Sequence, residues 1–513
     1  MRTKNSILNI STNIAITVMK TFMTFIVRTI FIKILGQTYL GVNGLLTNVL
    51  SMLSLAELGI GTAINFSLYK PLAENDKVKI SKLMTFYKKA YRIIALIVSI
   101  IGIILFFFLD VIIKDADNIQ NLDIIYFLFL ANTVFTYLIS YKETLITADQ
   151  KAYKLTKINF IFTILVNVGQ VIALIITKNF IFYLLAQLVI SYIQKIFINR
   201  YITKQYKEIN FNCREKLDKK DLNQIITNVK AMFFHKIGDY CINGTDNIII
   251  SSFIGINTVG IYSNYLTIIN MLNTFINLVY NGMTASLGNL LVTEDREKQY
   301  GIFRQIDFIG FLIYSTCTIG LLNLINPFIT LWVGNQYVLS MIIVIAIVIN
   351  FFITGMRIPA TTIKNAAGLY YQDRFTPIMQ SVINLVFSII LVKWIGLLGI
   401  ILGTIISGIA IPCWQRPYII YRYIFKRNVK EYAFIYLKYI VALLFSSTIT
   451  IILFKLFSLE INIITFLLMG ILCLLVHFSI IWIFYRKDPE MKYTLNLTKN
   501  IMKKGVEKIW KRA

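Results

Sequence analysis

Four stretches of otherwise apolar sequence carry charged or amide side chains at intervals of three and four residues. Asn13, Thr17, Lys20, Thr24 and Arg28 form the first series, and Ser54, Glu57, Gly61 and Asn65 the second. His235, Asp239, Asn243 and Asp246 form the third, and Asn270, Asn273, Asn277 and Asn281 the fourth. Residues at this spacing share one face of a helix, so each series predicts a polar stripe. The first is cationic and can hold an anion by charge-assisted hydrogen bonds. Glu57, Asp239 and Asp246 are the candidates for binding H⁺ or Na⁺. The asparagines offer donors and acceptors together. A charge at the centre of a membrane helix costs roughly 2.5–3.5 kcal/mol, so Lys20, Arg28, Glu57, Asp239 and Asp246 cannot all face lipid. They pair with one another as interhelical contacts, or they line a hydrated cavity. Stripes that run the length of four helices favour the cavity.

Arg357, two residues before Pro359, also has two readings. It is a boundary arginine that reaches the headgroups, or an anion contact at a cavity mouth. Lys236 is expected to snorkel, His477 to be structural and His235 to be packed near the inner boundary. The five cysteines (Cys213, Cys241, Cys317, Cys413, Cys473) are scattered, and there are only two histidines. Disulfides, zinc and Cys/His catalysis have no support. No phosphate-cradling glycine run is present, and no catalytic constellation emerges. No cofactor is expected beyond a coupling ion, and no enzyme activity.

The elements that must position these residues follow from composition. The chain has 513 residues, 57% hydrophobic and 15% charged, with mean hydropathy +0.69. Soluble proteins carry about 25% charged residues, so a water-soluble enzyme, a disordered chain and a disulfide scaffold are excluded. Unbroken rather than alternating apolar runs exclude a β-barrel. Fourteen stretches have spanning length: 7–32, 41–69, 91–113, 122–141, 158–177, 180–198, 231–253, 259–291, 306–325, 338–363, 377–394, 398–421, 433–457 and 461–485. The net charge of +26 is that of basic cytoplasmic loops, since with both ends inside the outer loops hold only Lys33, Lys114, Lys178, Lys393 and Lys455. Nucleic acid is not an expected partner. All outer loops are short, which argues against a membrane-embedded glycan polymerase. The first stretch is expected as a retained helix rather than a signal peptide. The basic segment after Arg486 reads as an amphipathic helix on the inner leaflet.

An internal repeat links the halves. Gly36 and Gly41 precede the second stretch as Gly255 and Gly260 precede the eighth, 219 residues later. Ala148 and Ala367 share that offset, and Asn167 and Asn384 lie within two residues of it. The first and third stripes are related by nearly the same shift, and the second and fourth by a slightly smaller one. Six spans per repeat gives two copies of the same orientation, a transporter architecture. The expected divisions are 1–210 (N-lobe), 211–428 (C-lobe), 429–485 (two appended helices) and 486–513 (tail).

Several segments carry a resemblance. They are Leu35-Gly36-x-x-Tyr39-Leu40-Gly41, Leu53 to Ile64 around Glu57, Tyr69-Lys70-Pro71-Leu72-Ala73, Asn365 to Arg374, and Gly399 to Thr404. Together they resemble the Wzx-type polysaccharide flippases of the multidrug/oligosaccharidyl-lipid/polysaccharide (MOP) exporter superfamily. The resemblance implies an all-α polytopic membrane protein of about fourteen transmembrane helices. Two parallel six-helix repeats would form lobes around a central cavity, with two C-terminal helices added. It implies translocation of an undecaprenyl-diphosphate-linked oligosaccharide for capsule or surface polysaccharide synthesis at the bacterial plasma membrane, beside a polymerase and assembly proteins. The substrate-binding candidates are Lys20, Thr24, Arg28, Asn273, Asn277 and Arg357, and the role of cavity cation carries over to Lys20 and Arg28. A cation-coupled multidrug antiporter of the same superfamily is the alternative; its cavity should be acidic, without Lys20 and Arg28.

Overall fold

The computed structural model describes residues 2–510 apart from 54–56, 58–59, 115, 216, 220, 224, 228, 230–243 and 458–459. Side chains are described except at 2–15, 62–64, 66, 285, 457 and 500–510. Every regular element among the described residues is a helix. They are α1 (Arg2–Met52), α2 (Ile60–Glu74), α3 (Lys77–Phe106), the short α4 (Leu109–Ile112), α5 (Leu122–Ala148), α6 (Ala152–Thr177) and α7 (Phe180–Gln205). The second half holds α8 (Thr245–Phe253), α9 (Ile256–Thr293), α10 (Arg296–Val333), α11 (Met341–Met356), α12 (Ile358–Ala366), α13 (Thr376–Ile395), α14 (Leu397–Ala410) and α15 (Pro412–Ile420). After it come α16 (Lys430–Phe457), α17 (Ile463–Tyr485) and α18 (Pro489–Trp510). The expected apolar stretches fall on this series, the second divided between the end of α1 and α2 with 54–56 and 58–59 outside the described residues, and the seventh represented by α8. Ten helical segments among the described residues are long and apolar enough to cross a membrane. The protein is an all-α polytopic membrane protein.

Helix limits follow the local chemistry. Asp76 accepts the Lys79 amide at 2.9 Å and Asp295 the Lys298 amide at 2.8 Å, capping α3 and α10. Asn462 and Thr465 form a reciprocal capping box at the start of α17. Gly36 interrupts α1 at φ 76°, and Gly255, its counterpart in the repeat, separates α8 from α9 at φ 137°. Both conformations are ones that a side chain disfavours.

The chain divides into two compact units. Unit 1 comprises residues 1–263 and 392–400, and unit 2 comprises 264–391 and 401–513. In unit 1, α6 packs on α1 and α7, and α5 on α3 and α7. The start of α9 also packs on α1. A Cβ on Gly41 would stand 2.1 Å from the Ile256 carbonyl oxygen, and one on Gly260 would stand 2.3 Å from the Gln37 carbonyl oxygen. Between these points the Thr38 hydroxyl donates to Asn257 Oδ1 at 2.8 Å. Residues 37, 38 and 41 are the repeat counterparts of 256, 257 and 260, so the contact is reciprocal, as in a two-fold interface.

In unit 2, α10 is the central helix, packed against α11, α12, α16, α17 and α18. Its core is aromatic: Phe311 stacks on Tyr439 of α16 at 4.1 Å, and Phe308 meets Tyr485 of α17 at 5.3 Å. His477 of α17 lies between Ser315 (2.9 Å) and Ser446 (3.1 Å), joining α10, α17 and α16 as the structural residue it was expected to be. In the tail, α18 carries Glu490 into this core, where it meets Arg304 of α10.

Candidate functional site

In unit 1, α1 brings Lys20, Thr24 and Arg28 onto one side, four residues apart. Lys20 and Thr24 are exposed, and the Thr24 hydroxyl donates back to the Lys20 carbonyl at 2.9 Å. Arg28 is half-buried. Its Nη2 donates to the Ser263 hydroxyl at 2.6 Å, and Ser263 donates in turn to the Gly260 carbonyl at 2.7 Å. The Tyr183 hydroxyl lies within electrostatic reach of this guanidinium. The cation is therefore set beside the reciprocal α1–α9 crossing that Gly41 and Gly260 permit.

The acidic candidates of unit 1 separate. The Glu57 carboxylate accepts the Tyr91 hydroxyl at 2.9 Å and lies across Gly61, where a Cβ would come within 2.5 Å of Glu57 Oε1. The shared face of Glu57 and Gly61 thus makes room for the carboxylate to be tied to α3. Asp246 sits in the first turn of α8, where the helix dipole favours a negative charge, and faces Tyr262. Asp239, His235, Lys236, Asn243 and Ser54 lie outside the described residues, as does the side chain of Asn13.

In unit 2, Asn273 and Asn277 are half-buried on α9, with Asn270 and Asn281 exposed on the same helix. Arg357 lies at the break between α11 and α12 that Pro359 enforces. It is only 8% exposed, so it does not reach outward to headgroups. Its Nη2 donates to the Thr354 hydroxyl at 2.9 Å, and its Nε has no hydrogen-bond partner among the described residues. The charged neighbour it feels is another cation, Arg416 of α15. Arg416 Nη1 donates to the Thr361 hydroxyl at 2.9 Å, and Thr361 donates to the Arg357 carbonyl at 2.7 Å. Gly408 packs against the Arg357 guanidinium, where a Cβ would stand 3.7 Å from Nη1. Buried charges are normally neutralised by a partner, and two guanidiniums across a pair of helix breaks can hold an anion bidentately. Arg416 was missed in the sequence because it follows Pro412 in a segment with no polar periodicity.

The segments that carried the family resemblance serve mostly to build the fold. In Asn365 to Arg374, Gly368 takes φ 70° and ends α12. Asp373 turns inward to form a buried ion pair with Lys364. In Gly399 to Thr404, Gly403 lets α14 touch α13, where a Cβ would stand 2.7 Å from the Ser388 amide nitrogen. Thr404 accepts the Asn384 amide at 2.9 Å.

Comparison with known proteins follows the same lines. Residues 6–283, more than half of the chain, match the family model described as polysaccharide biosynthesis protein. The chain belongs to the polysaccharide biosynthesis protein family. No curated protein matches the sequence. Among solved structures, the lipid II flippase MurJ in an inward closed conformation is similar, with TM-score 0.63 and 15% identity over 92% of this chain and 98% of that one. An inward-facing multidrug resistance MATE family transporter of the MOP superfamily is similar with TM-score 0.59 and 14% identity, over 80% and 98% of the two chains. A mutant of the Vibrio cholerae MATE transporter VcmN gives TM-score 0.56 and 13% identity, over 83% and 99%. At such identities the likeness establishes the fold, and this polysaccharide biosynthesis protein has the MOP-superfamily fold. The neighbours named here are flippases and transporters rather than enzymes.

Proposed function

We propose that this polysaccharide biosynthesis protein is a flippase. It carries undecaprenyl-diphosphate-linked oligosaccharide repeat units from the cytoplasmic to the outer face of a bacterial plasma membrane, with both of its own termini cytoplasmic. Its product feeds capsule or surface polysaccharide synthesis, next to a polymerase and assembly proteins. The observation that carries this reading is Arg357, a buried guanidinium beside a second guanidinium and with an unpartnered Nε. Such a group suits a diphosphate and repels the cationic cargo of a drug antiporter. Lys20 and Arg28 supply further cations along α1, and Asn273 and Asn277 offer amides to sugar hydroxyls. The prenyl tail stays in lipid while the head follows the polar faces. Alternating access moves it, driven by an ion gradient or the membrane potential, with Glu57, Asp239 and Asp246 as the candidate ion ligands. No covalent chemistry is required.

The test uses a strain lacking this gene and any second flippase. Lipid-linked repeat units are measured on each leaflet, with wild type, Lys20→Ala, Arg28→Ala, Arg357→Ala and Asp246→Asn restored in turn. Units trapped inside without the gene, released by wild type and not by the three cation variants, support the proposal. Normal arrival of units outside without the gene sinks it and leaves the multidrug antiporter as the reading to pursue.

A further inference from the structure

Asp307 lies on α10, one turn after Arg304, and is 1% exposed. Its carboxylate forms no ion pair among the described residues, and the Tyr439 hydroxyl is the hydrogen-bonding group within reach of it. Nor does it belong to the periodic stripes of the sequence. The groups facing it come from every side of α10. Arg304 is on its own helix, Tyr280 on α9, Tyr421 just beyond α15, Tyr432, Tyr436 and Tyr439 on α16, and Glu490 on α18.

Arg304 is the cation among these groups, and Glu490 holds it. Arg304 Nε and Nη2 approach Glu490 Oε1 at 2.9 and 2.8 Å. One cation and two carboxylates leave one surplus negative charge, and it falls on the carboxyl without an ion-pair partner. A buried carboxylate in aromatic surroundings takes up a proton rather than remain unpaired. The hydroxyls of Tyr280 and Tyr439 are buried beside it, Tyr439 within hydrogen-bonding reach, so a protonated carboxyl would have acceptors at hand. An ionised one would have donors.

The Tyr280 hydroxyl gives the site a mechanical connection. A Cβ on Gly310 would stand 2.6 Å from that hydroxyl and 2.9 Å from Pro359 Cγ. Tyr280 therefore rests where α10 meets the α11–α12 break that holds Arg357. It also shares a face of α9 with Asn273 and Asn277, at i−7 and i−3.

We propose that Asp307, with the Tyr280 and Tyr439 hydroxyls, is an internal proton-binding site of this protein. The neutral carboxyl donates its hydrogen bond to a tyrosine hydroxyl. The ionised carboxylate instead accepts from both hydroxyls and draws α9 toward α10 at the helix break. Proton binding stands independently of substrate. Its use in coupling rests on the flippase reading.

The test is pH-difference infrared spectroscopy of the full chain in lipid nanodiscs. Wild type should show a protonated-carboxyl band that titrates with pH, and Asp307→Asn should abolish that band. Tyr439→Phe removes a donor to the ionised form, so the midpoint should move up by about one pH unit, a tenfold gain in proton affinity. Glu490→Gln releases Arg304 toward Asp307, so the midpoint should move down by about as much. The two opposed shifts decide the matter even if Asp307→Asn fails to fold. No titrating band in wild type, a band unchanged in Asp307→Asn, or no shift in either other variant overturns the proposal. Flipping by wild type should respond to an imposed pH gradient, and by Asp307→Asn it should not. A wild type that moves no lipid-linked glycan removes the flippase reading and leaves the spectroscopic result standing.

Discussion

In unit 1 the charges of the polar stripes are half-exposed and lean on neutral hydroxyls, Arg28 on Ser263 and Glu57 on Tyr91, while Lys20 stays in the open. In unit 2 several charges lie deeper in the helix packing, although others, such as Arg427 and Glu297, pair at the surface. Lys364 and Asp373 pair with each other, Arg304 pairs with Glu490, and Arg357 and Asp307 are left with no ion pair among the described residues. The difference lies in what surrounds the group. A half-exposed charge keeps part of its hydration, so neutral hydroxyl partners suffice. A buried one needs a counter-charge or an external ligand, because the interior supplies little solvation. Substitutions in unit 2 should therefore act first on folding, and those along α1 first on transport.

The largest effect is expected at the Lys364–Asp373 pair. Both residues are under 7% exposed, at 4% and 6%. Asp373→Ala leaves a buried ammonium uncompensated, at a cost of about 3–5 kcal/mol, and should sharply reduce the folded fraction recovered in detergent. Lys364→Met combined with Asp373→Leu removes both charges and should restore most of it. If Asp373→Ala melts like wild type, the contrast between the units fails at its strongest point.

The glycine crossing of unit 1 comes next. Gly41→Val and Gly260→Val each force a side chain into a backbone carbonyl, costing about 1–3 kcal/mol by overpacking. The contact is reciprocal, so the two costs should match and the double variant should cost less than their sum. Gly44 is the internal control, because a Cβ there meets nothing closer than 3.8 Å. Gly44→Ala should be neutral or stabilising, by up to about 1 kcal/mol. Thermal unfolding of the purified variants checks all four.

The fold was legible in the sequence because spanning length and the 219-residue offset each rest on many residues at once. That offset reappears as the Thr38–Asn257 hydrogen bond. An exposed polar face was legible where polar residues recur with helical period, as at Lys20 and Thr24 of α1, since periodicity records a face that water can reach. Burial was not legible where one charge sits alone in an apolar run. Asp307 and Arg416 break no pattern, and only packing shows that the first is buried and the second half-buried. Resemblance had a different limit. Its motifs marked Gly36, Gly41, Gly368, Asp373 and Gly403, residues that make turns, close crossings and a loop clasp, alongside the Glu57 carboxylate.

A smaller effect is expected where a hydroxyl supports a half-exposed charge. Tyr91→Phe removes the donor to Glu57 and should cost about 1–3 kcal/mol. Glu57→Gln keeps an acceptor and should cost less. Equal losses for both would mean that the negative charge itself, rather than the hydrogen bond, stabilises the α2–α3 region.

The smallest structural effect is expected at Lys20, exposed on α1 with no ion pair among the described residues. Lys20→Ala removes no buried contact, so its melting behaviour should stay within about 0.5 kcal/mol of wild type. Under the proposed flippase function, transfer of lipid-linked units to the outer leaflet should nevertheless fall at least tenfold, because Lys20 is proposed as a cation on the path of the diphosphate. Lys20→Arg should retain transfer. A Lys20→Ala protein that is stable and fully active would restrict the anion path to Arg28 and Arg357. One that is unstable would show that unit 1 also depends on its exposed charges for folding.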